Sequence, residues 1–424
     1  MRRRLIIALA LVLLTGAAVV TATIRTDKAA AARKVTTIQF WNGFTGPDRP
    51  TVEAIVKQFN DTHPNTQVNM TIMPWDVFYQ KLLPSWASGT GPELVAISDS
   101  GQIPQYANQG VLAPLDDIYS SGSLQTNTLV KAAVEADKYN GHYYGVPMTF
   151  FSILLYWNKT MFHKAGLIGP PKTWAQWQQD AVKLTLGKGS RPTQYGLALG
   201  DHQTVPVWPV LLWGNGGGVV SPDGAHSLLD TPASVQAVQQ WANLIINKHI
   251  SPIGLAGADA DKLFLSKKAA MEVNGPWMTD GAKSAGINFG LAMVPAGPKR
   301  SVTLGGSTVL AVNAKVGPDA KAAAEAFIEY WNSKQSQITY SVGAGFPPTR
   351  TDVTASDLSK NPYVAAFSHY ASLAQFYLTN VNNFSAVNGE IFEPTIQKIE
   401  NSKLGSAPKI LAQAAAKINA DLKK

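Results

Sequence analysis

The sequence predicts an α/β protein of two lobes, with the chain passing between them more than once. Three observations carry this. At 424 residues the chain is too long for one ordinary core. Its first hundred residues after the N-terminal segment read strand, helix, strand, helix, strand, the order of an open sheet with helices on its faces. No Gly/Ser-rich or Pro-rich linker separates the halves, so two independent domains joined by a tether do not fit.

The elements follow in order. Val35–Phe40 is rich in β-branched residues and reads as a strand, broken by Asn42-Gly43 and Gly46-Pro47. Val52, Ile55, Val56 and Phe59 recur at helical spacing. Val68–Met73 alternates as a strand, Trp75–Ser88 is helical with Pro84 as a kink or break, and Leu94–Ile97 is a short apolar strand. Asn140-Gly141 between tyrosines is a hairpin turn, and Ile153–Trp157 is a further strand. Thr173 to Gln176 has the form of a capping box. Thr231-Pro232 opens a helix with the apolar stripe Val235, Val238, Trp241, Ala242, Ile245. Ala269–Val273, Phe289–Val294 and Thr308–Asn313 are short strands. A helix from about Pro318 to Trp331 and a mostly helical C-terminal third, ending in Lys409–Leu422, complete the chain.

Residues 1–32 read as an export signal: Arg2–Arg4, then an apolar run, then small residues around Ala22 or Ala32. An uncleaved anchor is the alternative, since Leu5–Ile24 is just long enough to span a bilayer. Either reading places the bulk of the protein outside the cytoplasm. The formal charge of +8 owes half to this segment, where five basic residues stand against one acidic residue. The remainder shows no basic stripe, which argues against a nucleic-acid partner.

Several chemistries are excluded or unsupported. There is no cysteine, hence no disulfide, thiolate site or lipid-modified N-terminal cysteine. The seven histidines show no zinc-binding spacing, and neither a GxSxG elbow nor a GxxxxGK[ST] loop is present. Gly214–Gly218 is glycine-rich but follows a helix instead of opening one. Glu93 with Asp99, or Asp116 with Asp117, could be offered as a glycosidase pair, but their context favours capping or turn roles. No catalytic residue, metal or cofactor is predicted.

Aromatic residues at strand ends and breakers carry the positive signal. Trp41 ends the first strand beside Asn42-Gly43, Trp208 and Trp213 flank "WPVLLWGNGG", and Trp277 follows Gly275-Pro276. Phe346 precedes Pro347-Pro348 and Phe384 adjoins Asn382-Asn383. Ligands of open α/β sheets bind beyond the carboxyl ends of the strands. An indole can support the C–H face of a pyranose, while Asn, Asp and glycine N–H groups meet its hydroxyls. Trp174, Trp177, Trp241 and Trp331 lie at helical spacing and are assigned to the core, as are Trp86 and Trp75.

In seven stretches taken in order the chain resembles the extracellular solute-binding proteins that deliver sugars to ABC importers, the group containing maltose-binding protein. These run from "IQFWNGFTGPDRPTVEAIVKQFNDTHP" and "SGTGPELVAISDSGQIPQYANQGVLAPLDD" through "YYGVPMTFFSILLYWNKTMFHKAGL" and "PPKTWAQW" to "AAMEVNGPWM", "GGSTVLAVNAK" and "AAAEAFIEYW". The resemblance implies a two-lobed periplasmic-binding-protein-like fold of the class II type, with the ligand cleft between the lobes and three crossing segments. These would lie near Pro147–Ser152, Gly305–Thr308 and Gly345–Thr351. One lobe would comprise 33–148 and 307–346, the other 149–306 and 347–424.

It further implies ligand contacts at Trp41, Asn42, Asp99, Ser100, Trp208, Trp213, Trp277, Gly306, Ser307, Asn382 and Asn383. Ser307 stands where relatives often carry a tryptophan. A monomer is expected, partnered by a carbohydrate and by membrane permease subunits, in a periplasm or on the outer face of the membrane. Two other roles stay open. One is a glycerol 3-phosphate or glycerophosphodiester binder, with Arg350 as its best cation. The other is a membrane-tethered sugar sensor.

Overall fold

The computed structural model describes residues 35–423 apart from 188, 190, 204, 371 and 372. The predicted export segment lies outside the described residues. Among the described residues no helix is long and apolar enough to cross a membrane.

A five-stranded sheet anchors the first half. Its strands are β1 (Thr36–Asn42), β2 (Thr66–Ile72) and β3 (Leu94–Ile97), which run parallel, with the later β12 (Val309–Val312) antiparallel beside β3. The order is β2-β1-β3-β12-β6, where β6 is Val146–Pro147. Strand alternation divides the core between the two faces. Leu94, Ala96, Leu310 and Val312 face one helical layer, together with Phe40, Phe59 and Phe327. Val95, Ile97, Val309 and Ala311 face the other, with Phe78, Leu82 and Trp86. Strands buried on both faces read as continuous apolar runs, hence "LVAI" and "VLAV".

The helix Arg49–Thr62 buries the four predicted residues Val52, Ile55, Val56 and Phe59. β1 continues through Asn42 instead of stopping before it, because Trp41 and Asn42 still pair with β2. Trp75–Ser88 is one helix with Pro84 inside it, closed by Gly89 at φ +74°. The Asn140-Gly141 turn, with φ +49° and +85°, joins β4 (Lys138–Tyr139) to β5 (His142–Tyr143) as the hairpin rule requires.

A second sheet system follows. β7 (Phe151–Ser152) pairs with β11 (Thr303–Gly306), which pairs with β13 (Ala374–Gln375). β8 (Leu154–Asn158) lies between β9 (Met271–Asn274) and β10 (Phe289–Ala292). Around them the helix Trp174–Leu184 starts with Thr173 accepting from Gln176 N–H, while Gln176 Oε1 reaches back to Lys172 N–H, one residue earlier than in a standard capping box. Pro232–Lys248 carries Val238, Trp241, Ala242 and Ile245 inward. Trp174, Trp177, Trp241, Trp331 and Trp86 are all buried. Asp116 and Asp117 begin the short helix Asp116–Ser120.

The chain changes sheet between β6 and β7, and again between β11 and β12, each time over a few residues. Thr349 to Thr351 still bond to the first half: Val130 N–H donates to Thr349 O, and Thr351 N–H to Thr128 O. The helix Pro362–His369 is packed in the second system, with Phe367 beside Leu154 and Tyr156.

Candidate functional site

Where the two sheet systems meet, loops at the carboxyl ends of β1 and β3 face segments that follow β9 and β13. After β1, Asn42 Oδ1 accepts from Phe44 N–H at 3.2 Å, while its buried Nδ2 has no partner on the protein. The next residue must be glycine: a Cβ on Gly43 would stand 2.0 Å from the ring of Trp75. Trp75 packs edge-on to Phe44 and parallel to Tyr79. The Tyr79 hydroxyl accepts from Ser98 N–H and Gln102 Nε2 and bonds to Ser98 Oγ.

After β3, Asp99 caps a short turn by accepting from Gly101 N–H at 2.8 Å. Burial pushes its carboxyl up to about 7, a rise that the Gly101 bond only partly offsets. Ser100 N–H donates to Ser307 O, yet Ser100 Oγ is buried without a partner. Ser307 Oγ donates to Thr149 O. Asp137 is wholly buried with neither carboxylate oxygen bonded; burial, then the nearby Asp99 charge, raise it well above its usual range. Unpartnered polar groups at this density around one loop are what a binding site leaves for its ligand to satisfy.

On the other side Trp277 folds back over its own turn. A Cβ on Gly275 would lie 2.1 Å from the indole, so only glycine lets the ring rest on the main chain. The half-buried indole is edge-on to Phe151 and tilted against Phe346. The Phe151 ring in turn fills the space beside Gly306. Trp213 is edge-on to Tyr377, whose carbonyl oxygen would meet a Cβ on Gly101 at 2.4 Å. Ser385 N–H donates to Gln105 Oε1 at 2.9 Å. The two systems therefore touch at Gly101–Tyr377 and Gln105–Ser385.

These contacts bring together seven of the sequence-predicted residues: Asn42, Asp99 and Ser100 on one side, Trp213 and Trp277 on the other, and Gly306 and Ser307 at the crossing; Trp41 adjoins Asn42 at the strand end. Trp41 is half-buried against the layer of Phe78 and Leu82, a different cluster from that of Trp277. Three residues are placed otherwise. Trp208 is buried in the core within the all-apolar helix Val207–Gly214. The Asn383 amide donates to Asp421 Oδ2 on the C-terminal helix, and Asn382 is exposed with its neighbours turned toward that helix. Sequence reasoning missed Tyr79, Phe151 and Tyr377 and assigned Trp75 to packing. The pairing of Trp75 with Gly43 and of Phe151 with Gly306 crosses between segments distant in sequence, which no local pattern reports.

Arg350 is committed elsewhere. Its guanidinium makes a bidentate pair with Asp352 and also donates to Gln125 Oε1 and Asn332 O. Among the described residues no cluster of three or more His, Cys, Asp or Glu could hold a metal ion. A cavity of about 350 Å³ lies beside the site, lined by Trp213, Gln375, Phe376, Tyr377 and Asn380. A wider groove between the helices Arg49–Thr62 and Lys334–Ala344 is lined by none of these residues.

The arrangement has a counterpart in known proteins. The sequence profile of bacterial extracellular solute-binding proteins matches residues 45–338. A binding protein of Brucella abortus (strain 2308) is 27% identical over 397 residues, covering 92% of this chain and 93% of that protein. The sn-glycerol-3-phosphate-binding periplasmic protein of Rhizobium meliloti (strain 1021) is 23% identical over 333 residues, covering 75% and 76%. The Thermus thermophilus maltotriose binding protein, bound with maltotriose, superposes with a TM-score of 0.78 at 24% identity, covering 90% of this chain and 99% of that one. An ABC substrate-binding protein from Listeria monocytogenes, in complex with cycloalternan, superposes with a TM-score of 0.80 at 21% identity, covering 92% and 100%. The fold is thus the two-lobed α/β architecture of periplasmic binding proteins. With the profile matching more than half of its length, the chain belongs to the bacterial extracellular solute-binding protein family, whose members bind solutes and are not enzymes.

Proposed function

We propose that this protein is the extracytoplasmic binding component of an ABC importer and that it captures a di- or oligosaccharide in the cleft between its lobes. The observation that carries the reading is the pairing of aromatic faces with unmatched polar groups. Trp277 and Trp75 lie over glycines, while Asn42 Nδ2, Ser100 Oγ and both Asp137 oxygens lack partners. Sugars offer apolar C–H faces and hydroxyls that donate and accept, which answers both halves of that description. The solved relatives that hold maltotriose and cycloalternan support the same class.

Ligand is held first by one lobe, and closure brings the other against it. Closure is favoured only to the extent that the ligand binds the closed form better than the open one. We assign 35–148 and 307–351 to the first lobe, extending it past the sequence expectation because Thr349 to Thr351 bond to residues 128–130. The second lobe comprises 149–306 and the residues after 351. Trp41, Asn42, Asp99, Ser100, Trp213, Trp277, Gly306 and Ser307 are proposed to line the cleft. The protein is a monomer that docks on permease subunits, and residues 1–32 are its export signal or anchor.

Glycerol 3-phosphate is the competing ligand, since relatives that bind it exist. Arg350, the cation that reading relied on, has its guanidinium bonded to three groups of the protein. Isothermal titration against mono-, di- and oligosaccharides and against glycerol 3-phosphate separates the two. Binding of glycerol phosphate alone, steeply weakened by salt, would overturn the sugar assignment.

A further inference from the structure

We propose that Asp261 and Glu272 form a clamp that holds Asn274 and are thereby positioning residues for Trp277. The inference rests on the sugar-binding reading in so far as Trp277 meets the ligand. Asn274 ends β9, immediately before the turn Gly275-Pro276-Trp277. Its Nδ2 donates twice, to Asp261 Oδ1 at 2.7 Å and to Glu272 Oε1 at 2.9 Å. Its Oδ1 accepts from Gly275 N–H at 2.8 Å. The two acids therefore fix which way the carboxamide faces, and the carboxamide fixes the first peptide of the turn. Tyr156 donates to Gly275 O at 2.6 Å and secures the following peptide, Gly275–Pro276, of the same turn.

The clamp closes only if one of the two acids carries a proton. Glu272 is buried, and its Oε2 has no N–H or O–H donor on the protein. The two carboxyl groups lie within hydrogen-bonding reach of each other, on β9 and on the helix Gly257–Leu265. Burial first, then the neighbouring acid, keeps Glu272 protonated well beyond the usual carboxylate range, and burial raises Asp261. The titratable group facing the pair is Tyr156 on β8, which is itself within electrostatic reach of Asp280 on the helix Met278–Ser284 and Tyr363 on Pro362–His369. Asp280 is itself paired with Lys283. Among the described residues neither Asp261 nor Glu272 forms an ion pair, so loss of the shared proton leaves two anions facing each other with no counter-ion. Two such charges cannot both persist in a buried site. At alkaline pH the pair separates, Asn274 is released and the turn loosens.

The test uses the whole protein in three forms, with sugar affinity and Trp277 emission followed from neutral to alkaline pH. Trp277 emission is the difference between each form and its Trp277→Phe partner, so it is read even without ligand. Wild type is expected to lose affinity and shift its Trp277 emission toward that of a water-exposed indole as pH rises. Glu272→Ala is expected to weaken binding at least tenfold at neutral pH, with the emission already shifted. Glu272→Gln, neutral at every pH and able to donate to Asp261, is expected to restore most of that loss and to abolish the alkaline fall. An alkaline fall in Glu272→Gln equal to that of wild type, or unchanged Trp277 emission in Glu272→Ala, overturns the proposal. If no sugar binds wild type, the functional reading fails, while the emission still decides the clamp.

Discussion

The indole N–H of Trp331 donates to the carbonyl oxygen of Met148 across 2.7 Å. Met148 directly follows β6, where the chain leaves the five-stranded sheet, and Trp331 ends the helix Pro318–Trp331. Gln337 Nε2 reaches the same carbonyl at 3.3 Å. The crossing segment is thereby pinned to the helical layer of one side, and motion must come from the residues just beyond.

Trp331→Phe keeps an aromatic ring, though a smaller one, and removes the donor. Stability in urea is expected to fall by about 1–2 kcal/mol, the cost of weakening a buried hydrogen bond. Trp331→Ala should cost about 3–5 kcal/mol through the cavity it opens. A Trp331→Phe variant as stable as wild type would show that the hydrogen bond contributes nothing.

Gly275→Ala leaves Trp277 in the sequence but denies it its resting place, since the new methyl would sit 2.1 Å from the ring. Sugar affinity is expected to drop about tenfold, or about 1.4 kcal/mol, by titration calorimetry. A variant that binds as well as wild type would remove the indole's position from the account.

Asp99, proposed to line the cleft, is expected to make binding depend on pH near neutrality. Its folded value of about 7 reflects burial. A sugar hydroxyl donating to the carboxylate favours the ionised form, so binding releases a proton and weakens as pH falls below about 7. Calorimetry at pH 7 in buffers of different ionisation enthalpy measures that proton, and Asp99→Asn should abolish it.

Glu400 is expected to make stability depend on pH. Burial, followed by repulsion from Asp201, moves it from 4.5 to about 9. The folded protein therefore holds a proton that the unfolded chain has already lost, and stability declines as pH rises from about 4.5 toward 9. Thermal unfolding across that range is expected to show the decline, and Glu400→Gln should flatten it.

Arg350→Lys is expected to lower stability by about 1–3 kcal/mol, because Lys cannot reproduce the bidentate pair with Asp352 and the bonds to Gln125 and Asn332. Sugar affinity should stay within twofold by titration. A larger loss would return this side chain to the site.

Most of the architecture was legible because it rests on local signals. "LVAI" declares a strand covered on both faces, Asn140-Gly141 a hairpin, and Pro318 to Trp331 a helix with the observed ends. Trp277 was legible as an oddity, an indole where the chain turns, and Gly275 supplies the reason. What could not be read is non-local. Nothing in "NVNNFSAVN" says that the Asn383 amide turns to Asp421 while Asn388 accepts from Tyr377. Arg350 looked available because its partners Gln125 and Asn332 are distant in sequence.

The meeting of Gly101 with the main chain of Tyr377 has a mechanical meaning. Backbone against backbone is a stiffer stop than the Gln105 side chain that bridges to Ser385 nearby. If the proposed closure ends at this contact, travel would stop at the same separation whatever cargo lies inside, and a permease would meet one outline instead of a family of them. Cargoes would then differ in how often that end point is reached, and transport would be graded by occupancy, with the shape presented held constant.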